Sequence, residues 1–147
     1  MEIIHVQAVE VRSLRNLVLR PNQTIESTYY ELDEDKKTLH LACQEKSKII
    51  SIGTFYPQKH KNLSTKKSYR LRGMATDPNY RRRSAATKLM HASFEILKDK
   101  DCDVLWCNAR LIAIKFYESL GFVKTGNQFH IGDIGAHYFM YKNINLP

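Results

Sequence analysis

Between residues 69 and 121 the hydrophobic pattern alternates twice between the period of a strand and that of a helix. Strands that alternate with helices form a sheet with helices packed on it, because each apolar face must be covered by another element. The predicted order is a strand at 69–76, a helix from Ala85 to Leu97, a strand at 103–108 and a helix at 112–120, which Gly121 ends.

The flanking segments add strands that are mostly joined as hairpins. They predict one domain, 1–147, with a mixed α/β (α+β) fold of about seven largely antiparallel strands flanked by helices. The stretches 21–37 and 57–68 are polar and irregular, and we expect the second, a basic loop, to be solvated and mobile. The other predicted elements are strands at 2–6, 39–43 (half-buried), 49–56, 122–131 and 136–142 and a helix at 9–19, in which Val11, Leu14, Leu17 and Val18 share one face.

Composition limits the class of protein. The hydrophobic share is 43%, and no apolar run approaches the roughly 20 residues of a membrane helix. We therefore expect no membrane association. The first seven residues lack a basic segment followed by an apolar stretch, so we expect no secretion signal and a cytoplasmic location. The three cysteines, Cys43, Cys102 and Cys107, are not at metal-ligand spacing, and we expect reduced structural thiols and no metal.

The formal charge of +8 points to an anionic partner. Nucleic acid, an acidic substrate and a phosphate-rich cofactor would each satisfy it. The basic loop at 58–67 lacks the interleaved aromatic residues that stack bases, so we favour a solvated loop over a nucleic-acid site.

The turn Arg81-Arg82-Arg83-Ser84-Ala85-Ala86-Thr87 joins a predicted strand to a predicted helix. The first amides of a helix lack intrahelical partners, and small residues let an anion approach them. The three arginines add charge-assisted hydrogen bonds to phosphate oxygens. Alone, this segment is equally compatible with a pyrophosphate site and with a solvated basic turn.

A second motif favours the phosphate site. Asn108-Ala109-Arg110 is followed by Phe116-Tyr117-Glu118-Ser119-Leu120-Gly121-Phe122. With the turn, the segment 74–122 resembles the core of the GNAT superfamily of N-acetyltransferases, which carries Arg/Gln-x-x-Gly-x-Gly/Ala, then an Asn and a Phe-Tyr-x-x-x-Gly-Phe helix. The resemblance implies a sheet splayed between the strands ending at Thr76 and Asn108, acetyl-CoA bound in that splay, and acetyl transfer to an amine of a small molecule or peptide.

The resemblance also assigns cofactor-binding residues. Arg81 matches the leading Arg/Gln, Ser84 the middle Gly and Ala86 the final Gly/Ala. Serine in place of glycine departs from the pattern. Its Cβ would hinder close approach of a phosphate, and we expect its hydroxyl to cap the helix. The role of Asn108 is left open: it is either a cofactor contact or a helix cap. The whole implied set is Met74, Ala75, Thr76, Arg81, Arg82, Arg83, Ser84, Ala85, Ala86, Thr87, Asn108 and Phe116.

Tyr117 matches the tyrosine that in many GNAT enzymes donates a proton to the departing thiolate. A core tyrosine is the alternative, and within this motif we favour catalysis. The resemblance then implies direct attack of a neutral amine on the thioester with Tyr117 as general acid. A catalytically weak acyl-CoA-binding sensor is the alternative function, favoured by Ser84 and by the lack of an obvious base.

The family often places a glutamate on the strand before the phosphate turn, where this chain has Arg70 and Arg72. They would suit an acidic acceptor if their face lines the cleft, although ordinary surface charge is the favoured interpretation. Candidate bases are His40, His130 and His137, and His137 is preferred because its turn would lie near the thioester. The sequence leaves open the acceptor and the oligomeric state, monomer or homodimer.

Overall fold

The computed structural model describes residues 1–65 and 67–145. Apart from the end of the first helix, its strands and helices fall within a few residues of the predicted ones. The strands are β1 Glu2–His5, β2 Leu39–Glu45, β3 Lys48–Pro57, β4 Ser68–Thr76, β5 Val104–Arg110, β6 Val123–Ile131 and β7 Gly135–Asn143, and the α-helices are α1 Ala8–Leu14, α2 Ala85–Asp99 and α3 Ile114–Ser119.

Strands that follow each other in the chain are neighbours in the sheet, with one exception. The order is β1-β2-β3-β4-β5-β7-β6, so β7 lies between β5 and β6. Every pair is antiparallel except β4 and β5, which run parallel because the chain crosses between them through α2. A mixed, largely antiparallel sheet flanked by helices is therefore confirmed.

The parallel strands β4 and β5 pair only at one end and then diverge. Residues 68–70 pair with residues 104–106, but β4 continues to Thr76 and β5 to Arg110. Along the diverging part β4 pairs with β3 and β5 with β7, so their facing edges border a wedge-shaped gap. This gap is the splay predicted between the two central strands.

A β-bulge in β4 changes the faces to which its side chains point. Residues 52–54 of β3 oppose residues 72–75 of β4, which has one residue more. Gly73 lies in the bulge with φ +68°, and a Cβ there would lie 3.0 Å from an arginine side chain of the segment after α1. Arg72 therefore faces the α1 side of the sheet and Met74 faces the α2 side. In a regular strand both would point to one side.

Hydrophobic clusters cover both faces of the sheet. α1 packs on one face through Val11 and Leu14. α2 and α3 pack on the other face through Leu89, Leu97 and Tyr117. In the part of the chain that the structure describes, no helix has the length and hydrophobicity needed to cross a membrane.

The first helix differs from its prediction. It is α-helical only to Leu14, and Arg15–Leu19 forms a π-turn. Because a π-turn has i to i+5 hydrogen bonds, it rotates the residues after it relative to a helix of period 3.6. Leu17 is therefore 55% exposed, and the prediction that it shares the buried face is wrong. Val18 still packs against the α1 cluster.

The π-turn buries Arg15, whose guanidinium anchors the following segment. It donates hydrogen bonds to both carboxylate oxygens of Asp33, at 2.7 and 3.0 Å, and to the hydroxyl of Thr54 at 2.8 Å. The segment 21–37 is irregular as predicted, apart from the 3₁₀ turn Ile25–Thr28. The Arg15–Asp33 pair holds this irregular segment against the sheet.

The second strand was predicted to be half-buried, and this is wrong. His40, Leu41, Ala42 and Cys43 are all buried, on both faces of the sheet. The reason is that β2 lies inside the sheet and is covered by α1 on one face and α2 on the other.

The loop at 58–67 is only partly solvated. Lys59, Lys61 and Lys67 are exposed, as predicted. His60, however, stacks on Phe139 with ring centroids 4.1 Å apart, so the loop is anchored to the sheet. Lys66 of the same loop lies outside the described residues.

The last helix is shorter than predicted. Leu111–Ala113 forms a 3₁₀ turn, α3 begins only at Ile114, and Ile112 is 93% exposed rather than part of the buried face. Gly121 follows the helix with φ +94°, a conformation that glycine adopts readily, and thus ends it as predicted.

Candidate active site

The wedge between β4 and β5 opens into a cleft of about 710 Å³. β4 lines it with residues 70–76 and β5 with residues 107–110. One mouth faces α2 and α3, where Phe116 and Tyr117 lie. The other faces the segment after α1, where Arg20 and Tyr30 lie. The two mouths give a ligand on each face of the sheet access to the same gap.

Most of the residues assigned from the sequence line this cleft or a hollow of about 320 Å³ that adjoins it at the start of α2. Arg83 is the exception among them, since it forms an ion pair with Glu45 at 2.6 Å. Met74, Ala75, Thr76, Arg81, Ala86, Asn108, Phe116, Tyr117 and His137 line the cleft, and Arg82, Ser84, Ala85 and Thr87 line the hollow.

The turn before α2 presents backbone to the hollow. Arg82 and Ser84 both have positive φ, +61° and +63°, so the chain folds back tightly ahead of the helix. Ser84 is the N-cap residue, but its side chain makes no capping hydrogen bond. A hydroxyl cap requires an extended backbone at that position, whereas Ser84 is left-handed. The capping role expected for Ser84 is therefore wrong.

The left-handed conformation of Ser84 gives a physical reason for the glycine of the family pattern. Glycine adopts positive φ without a steric penalty, and serine must tolerate it. The amides of the first turn of α2 remain available for an anion, because the Ser84 hydroxyl does not occupy them.

Asn108 lies inside β5 rather than at the start of a helix. The strand continues to Arg110, which is the N-cap of the following turn, so the helix-cap alternative for Asn108 is wrong. Its side-chain oxygen is buried in the cleft without a hydrogen-bond partner among the described residues. An unpaired buried oxygen is costly, and an amide N–H of a pantetheine arm would satisfy it.

Tyr117 is buried between aromatic rings at the α3 side of the cleft. Its ring centroid lies 5.3 Å from that of Phe116 and 5.2 Å from that of Phe122. Burial raises the pKa of the Tyr117 phenol well above its usual value, and nearby Cys107 raises it further. The phenol is therefore neutral over a wide pH range and carries a proton that it can donate.

The cysteines are free and buried. Burial raises the pKa of Cys102 to about 11 and that of Cys107, which lines the cleft, to about 12. Thiols with such pKa values are poor nucleophiles, so Cys107 serves as an apolar wall. No cluster of three or more His, Cys, Asp or Glu suited to a metal ion occurs among residues 1–65 and 67–145.

Comparison with known proteins identifies the family of this chain. The sequence model described as the Acetyltransferase (GNAT) family matches residues 8–122, well over half of the chain. The chain belongs to the GNAT family. It is therefore a transferase of the N-acetyltransferase class with acetyl-CoA as acetyl donor, as the sequence predicted.

Relatives of this GNAT chain cover nearly its whole length. The "uncharacterized N-acetyltransferase YitI" of Bacillus subtilis (strain 168) is 34% identical over 98% of this chain and 97% of its own. An aminoglycoside 6′-N-acetyltransferase solved with coenzyme A superposes with a TM-score of 0.79 at 14% identity, covering 100% of this chain and 98% of its own. FeeM, an N-acyl amino acid synthase from uncultured soil microbes, superposes with a TM-score of 0.80 at 13% identity, covering 97% of this chain and 90% of its own.

The three histidines proposed as bases have different surroundings in this GNAT domain. The His40 nitrogens are held by the Thr54 hydroxyl and the Asp33 carbonyl, each at 2.9 Å, so His40 is structural. His130 is exposed on the edge strand β6. His137 is buried, lines the cleft, and its Nδ1 lies 2.8 Å from the Gly135 carbonyl. With Nδ1 as the donor, Nε2 is the nitrogen that can accept a proton.

Sequence reasoning missed the residues on the α1 side of the cleft. Arg20, Tyr30 and Arg110 line it together with Arg70 and Arg72. Arg70 and Arg72 are therefore not on an outer sheet surface, which was the favoured interpretation. The one signal in the sequence was that Arg70 and Arg72 share a face of their strand. Tyr30 gave no signal, because it comes from a segment without a regular pattern.

Proposed function

We propose that this chain transfers an acetyl group from acetyl-CoA directly to a primary amine, with Tyr117 as the general acid. The observation that carries the proposal is the position of Tyr117, a buried and protonated phenol that borders the gap between two diverging strands. Acetyl-CoA supplies an activated thioester. The residues of the chain position it, exclude water and move protons.

The face of the sheet covered by α2 and α3 is suited to hold the donor. Arg81 lines both the cleft and the hollow at the start of α2, so it can reach a diphosphate bound by the first amides of that helix. Met74 and Thr76 lead from this turn into the gap. Asn108 points to the same face of β5 as Arg110, so its unpaired oxygen is available to a ligand that reaches through the gap from the donor side. Arg83, bound to Glu45, has at most a minor part.

The gap itself supplies the electrostatic part of the proposed mechanism. β4 stops pairing with β5 after Arg70, so backbone groups on its inner edge are free to donate to an oxygen that becomes negative during transfer. Tyr117 then donates its proton to the departing sulfur. Its raised pKa keeps the proton in place until a thiolate is present to accept it.

His137 is the proposed base that accepts the proton of the amine. It pairs with Arg110 across β5 and β7, so both side chains lie on the face opposite α3. The acid and the base therefore approach the gap from opposite faces of the sheet. This arrangement suits a donor that enters from one side and an acceptor that enters from the other.

The sensor alternative loses one of its two arguments. Ser84 adopts the left-handed conformation that glycine would adopt, and its hydroxyl leaves the helix amides free. Structural neighbours include enzymes for aminoglycosides, for amino acids and for a ribosomal protein, which support an amine acceptor without naming its class. The cytoplasmic location and the oligomeric state stay predictions.

Thiol release from acetyl-CoA in the presence of an amine panel tests the proposed function. The panel consists of polyamines, amino acids, aminoglycosides and peptides, and each is compared with a reaction that lacks the protein. We expect thiol release and an equal amount of N-acetylated product with at least one amine. Stabilisation by acetyl-CoA without transfer to any amine would favour the sensor instead.

A further inference from the structure

The mouth of the cleft on the α1 side is cationic. Arg20, Arg70, Arg72 and Arg110 all line it. Among the cleft-lining residues that the structure describes, none is Asp or Glu. A cleft lined by one sign of charge attracts ligands of the opposite sign.

These four arginines are not neutralised elsewhere in the described chain. The ion pairs found there involve Arg12, Arg15, Lys48 and Arg83. Arg70 and Arg110 have neutral hydrogen-bond partners instead. The Arg70 guanidinium donates to the side-chain oxygen of Gln58 at 3.1 Å, and that of Arg110 donates to the Leu19 carbonyl at 3.0 Å.

The cleft also leaves cationic donors unused. The Nε atoms of Arg20 and Arg70 are buried without a hydrogen-bond partner among the described residues. Burial lowers the pKa of the Arg70 and Arg110 guanidinium groups, which shows that their positive charge is disfavoured in the cleft. Charges partly withdrawn from water are stabilised by an opposite charge, so an anionic group would be favoured among these half-buried arginines.

Arg72 is held in place before any ligand arrives. Its guanidinium stacks on the ring of Tyr30 with its carbon 4.0 Å from the ring centroid. Arg15 covers the same ring at 3.8 Å, and the Tyr30 amide donates to a carboxylate oxygen of Asp33 at 3.0 Å. The buried Arg15–Asp33 pair thus fixes Tyr30, which in turn orients Arg72. A planar guanidinium fixed in this way can bind two oxygens of one anion.

The bulge in β4 separates this cationic mouth from the proposed donor side. Arg70 and Arg72 precede the bulge and face α1, whereas Met74 follows it and faces α2, towards the turn that contains Arg81. Arg110 and His137 are cross-strand partners on the α1 face. An acceptor on this face would place its amine near His137 and an anionic group among the arginines.

We propose that the acceptor is an amine that also carries a carboxylate or a phosphate group, and that Arg72, with Arg70 and Arg110, binds this anion. The inference rests on the proposed acetyl transfer and narrows its acceptor. Polyamines and aminoglycosides are excluded as preferred acceptors, because their additional positive charges would enter a cationic site.

Matched pairs of acceptors test this inference. Each amine is assayed with and without its anionic group: L-amino acids against their carboxamides, and phosphoethanolamine against ethanolamine, with spermidine as the cationic amine. The expected kcat/KM is about 10- to 100-fold higher for the anionic member, the factor for a charged hydrogen bond. The two kinds of pair distinguish a carboxylate site from a phosphate site. Spermidine as the preferred acceptor would overturn the inference.

Variants separate a binding role from a structural one. Arg72→Gln should lower kcat/KM for the anionic member much more than for its neutral partner, whereas Arg72→Lys should keep part of the preference. Arg12→Gln is the matched control, because Arg12 stacks on Tyr29 at 3.9 Å but lies outside the cleft. An equal loss for both members of a pair in Arg72→Gln would contradict anion binding.

A binding measurement keeps the inference testable if no amine of the panel is acetylated. The protein is saturated with coenzyme A, and its Tm is measured at increasing concentrations of succinate or of inorganic phosphate. We expect the anions to raise the Tm of the parent and of Arg12→Gln but not of Arg72→Gln. Equal behaviour of the parent and Arg72→Gln would overturn the anion site. Anion binding without thiol release from any amine would instead count against the proposed transferase function alone.

Discussion

Tyr117 shows how one side chain can be part of the core and of the site. Its ring packs in the aromatic cluster with Phe116 and Phe122, while the residue also lines the cleft. The same burial that packs the ring raises the pKa of the phenol. Replacement by Phe keeps the packing and removes the proton, so it separates the two roles.

We expect Tyr117→Phe to leave the fold and the affinity for acetyl-CoA nearly unchanged and to lower kcat and kcat/KM together by about 10²- to 10⁴-fold. Both parameters fall because the proton is needed only in the transition state. The measurement is steady-state thiol release with the best amine of the panel, alongside the Tm and the acetyl-CoA affinity.

Tyr69 provides the matched control for this substitution. It is buried in the same core, burial also raises its pKa, and it lies outside the cleft. Tyr69→Phe should retain turnover. If the two variants lose activity equally, Tyr117 is a packing residue. The raised pKa of Tyr117 further predicts no loss of activity from its ionisation below about pH 10, because the acid form persists to higher pH than in a free tyrosine.

Ser84 illustrates why a side-chain role was assigned incorrectly. From sequence, a serine directly before a helix predicts a hydroxyl cap. The backbone at Ser84 is left-handed instead, and a periodicity argument contains no information on φ. The glycine in the family pattern was the available signal that this position needs positive φ.

At the scale of elements, the alternation of strands and helices was predictable because it follows from the spacing of apolar residues. Deviations from regular spacing were not. The bulge in β4 and the π-turn after α1 each shift the faces of the residues beyond them, which moved Met74 to the α2 side and Leu17 into solvent. Both irregularities lie beside the cleft, where β-bulges and π-turns often occur.

The α1 side of the site was hidden from sequence reasoning for a related reason. Tyr30 belongs to a stretch without periodicity, and its position depends on a buried ion pair between residues 15 and 33. Such long-range pairing of charged side chains leaves no pattern in the sequence.

The contribution of the Arg15–Asp33 pair to holding the irregular segment 21–37 can be tested. Asp33→Asn leaves the buried guanidinium without its counter-charge, and we expect the free energy of unfolding to fall by about 3 to 5 kcal/mol. Glu34→Gln is the control. Glu34 pairs with Arg12, but its side chain is 81% exposed, so its loss should have little effect. Denaturant unfolding of both variants measures the difference.

The same pair predicts a pH dependence. Burial raises the pKa of Asp33, but the hydrogen bonds from Arg15 and from the Tyr30 amide, together with the positive charge of Arg15, lower it, and the net pKa is lowered. A lowered pKa stabilises the folded state above the unfolded pKa of about 4 and loses this contribution as the pH falls through the folded value. The stability difference between the parent and Asp33→Asn should therefore shrink below about pH 4. A difference that grows in acid would contradict the assignment.

At the scale of the whole molecule, the sheet consists of two halves joined by a short ladder. β1 to β4 form one half and β5 to β7 the other, and residues 68–70 and 104–106 alone pair between them. A ligand that lies in the splay would contact both halves. The predicted role of the net positive charge also becomes specific, since Arg81 lies at the hollow proposed for the donor and Arg72 lies at the mouth proposed for the acceptor.

Acetyl-CoA would bind only the folded chain, so we expect it to raise the Tm. At a concentration 100 times its Kd, it should add about 2.7 kcal/mol to the free energy of unfolding. Arg81→Ala should weaken acetyl-CoA binding by about 1.5 to 3 kcal/mol through the loss of a charged hydrogen bond, and the rise in Tm should shrink accordingly. Arg83→Ala is the neighbouring control. Its guanidinium is bound to Glu45, so its removal should change the acetyl-CoA affinity far less.

A second ligand locates the lost contact. S-acetylpantetheine carries the thioester but no diphosphate, so it cannot use the turn before α2. If Arg81 binds the diphosphate, Arg81→Ala and the parent should bind S-acetylpantetheine equally weakly, and the variant should differ from the parent only with acetyl-CoA. Calorimetric titration of both proteins with both ligands measures the four affinities. An equal loss of affinity for the two ligands would show that Arg81 acts through the shape of the cleft, and the phosphate site would then lie away from residues 81–87.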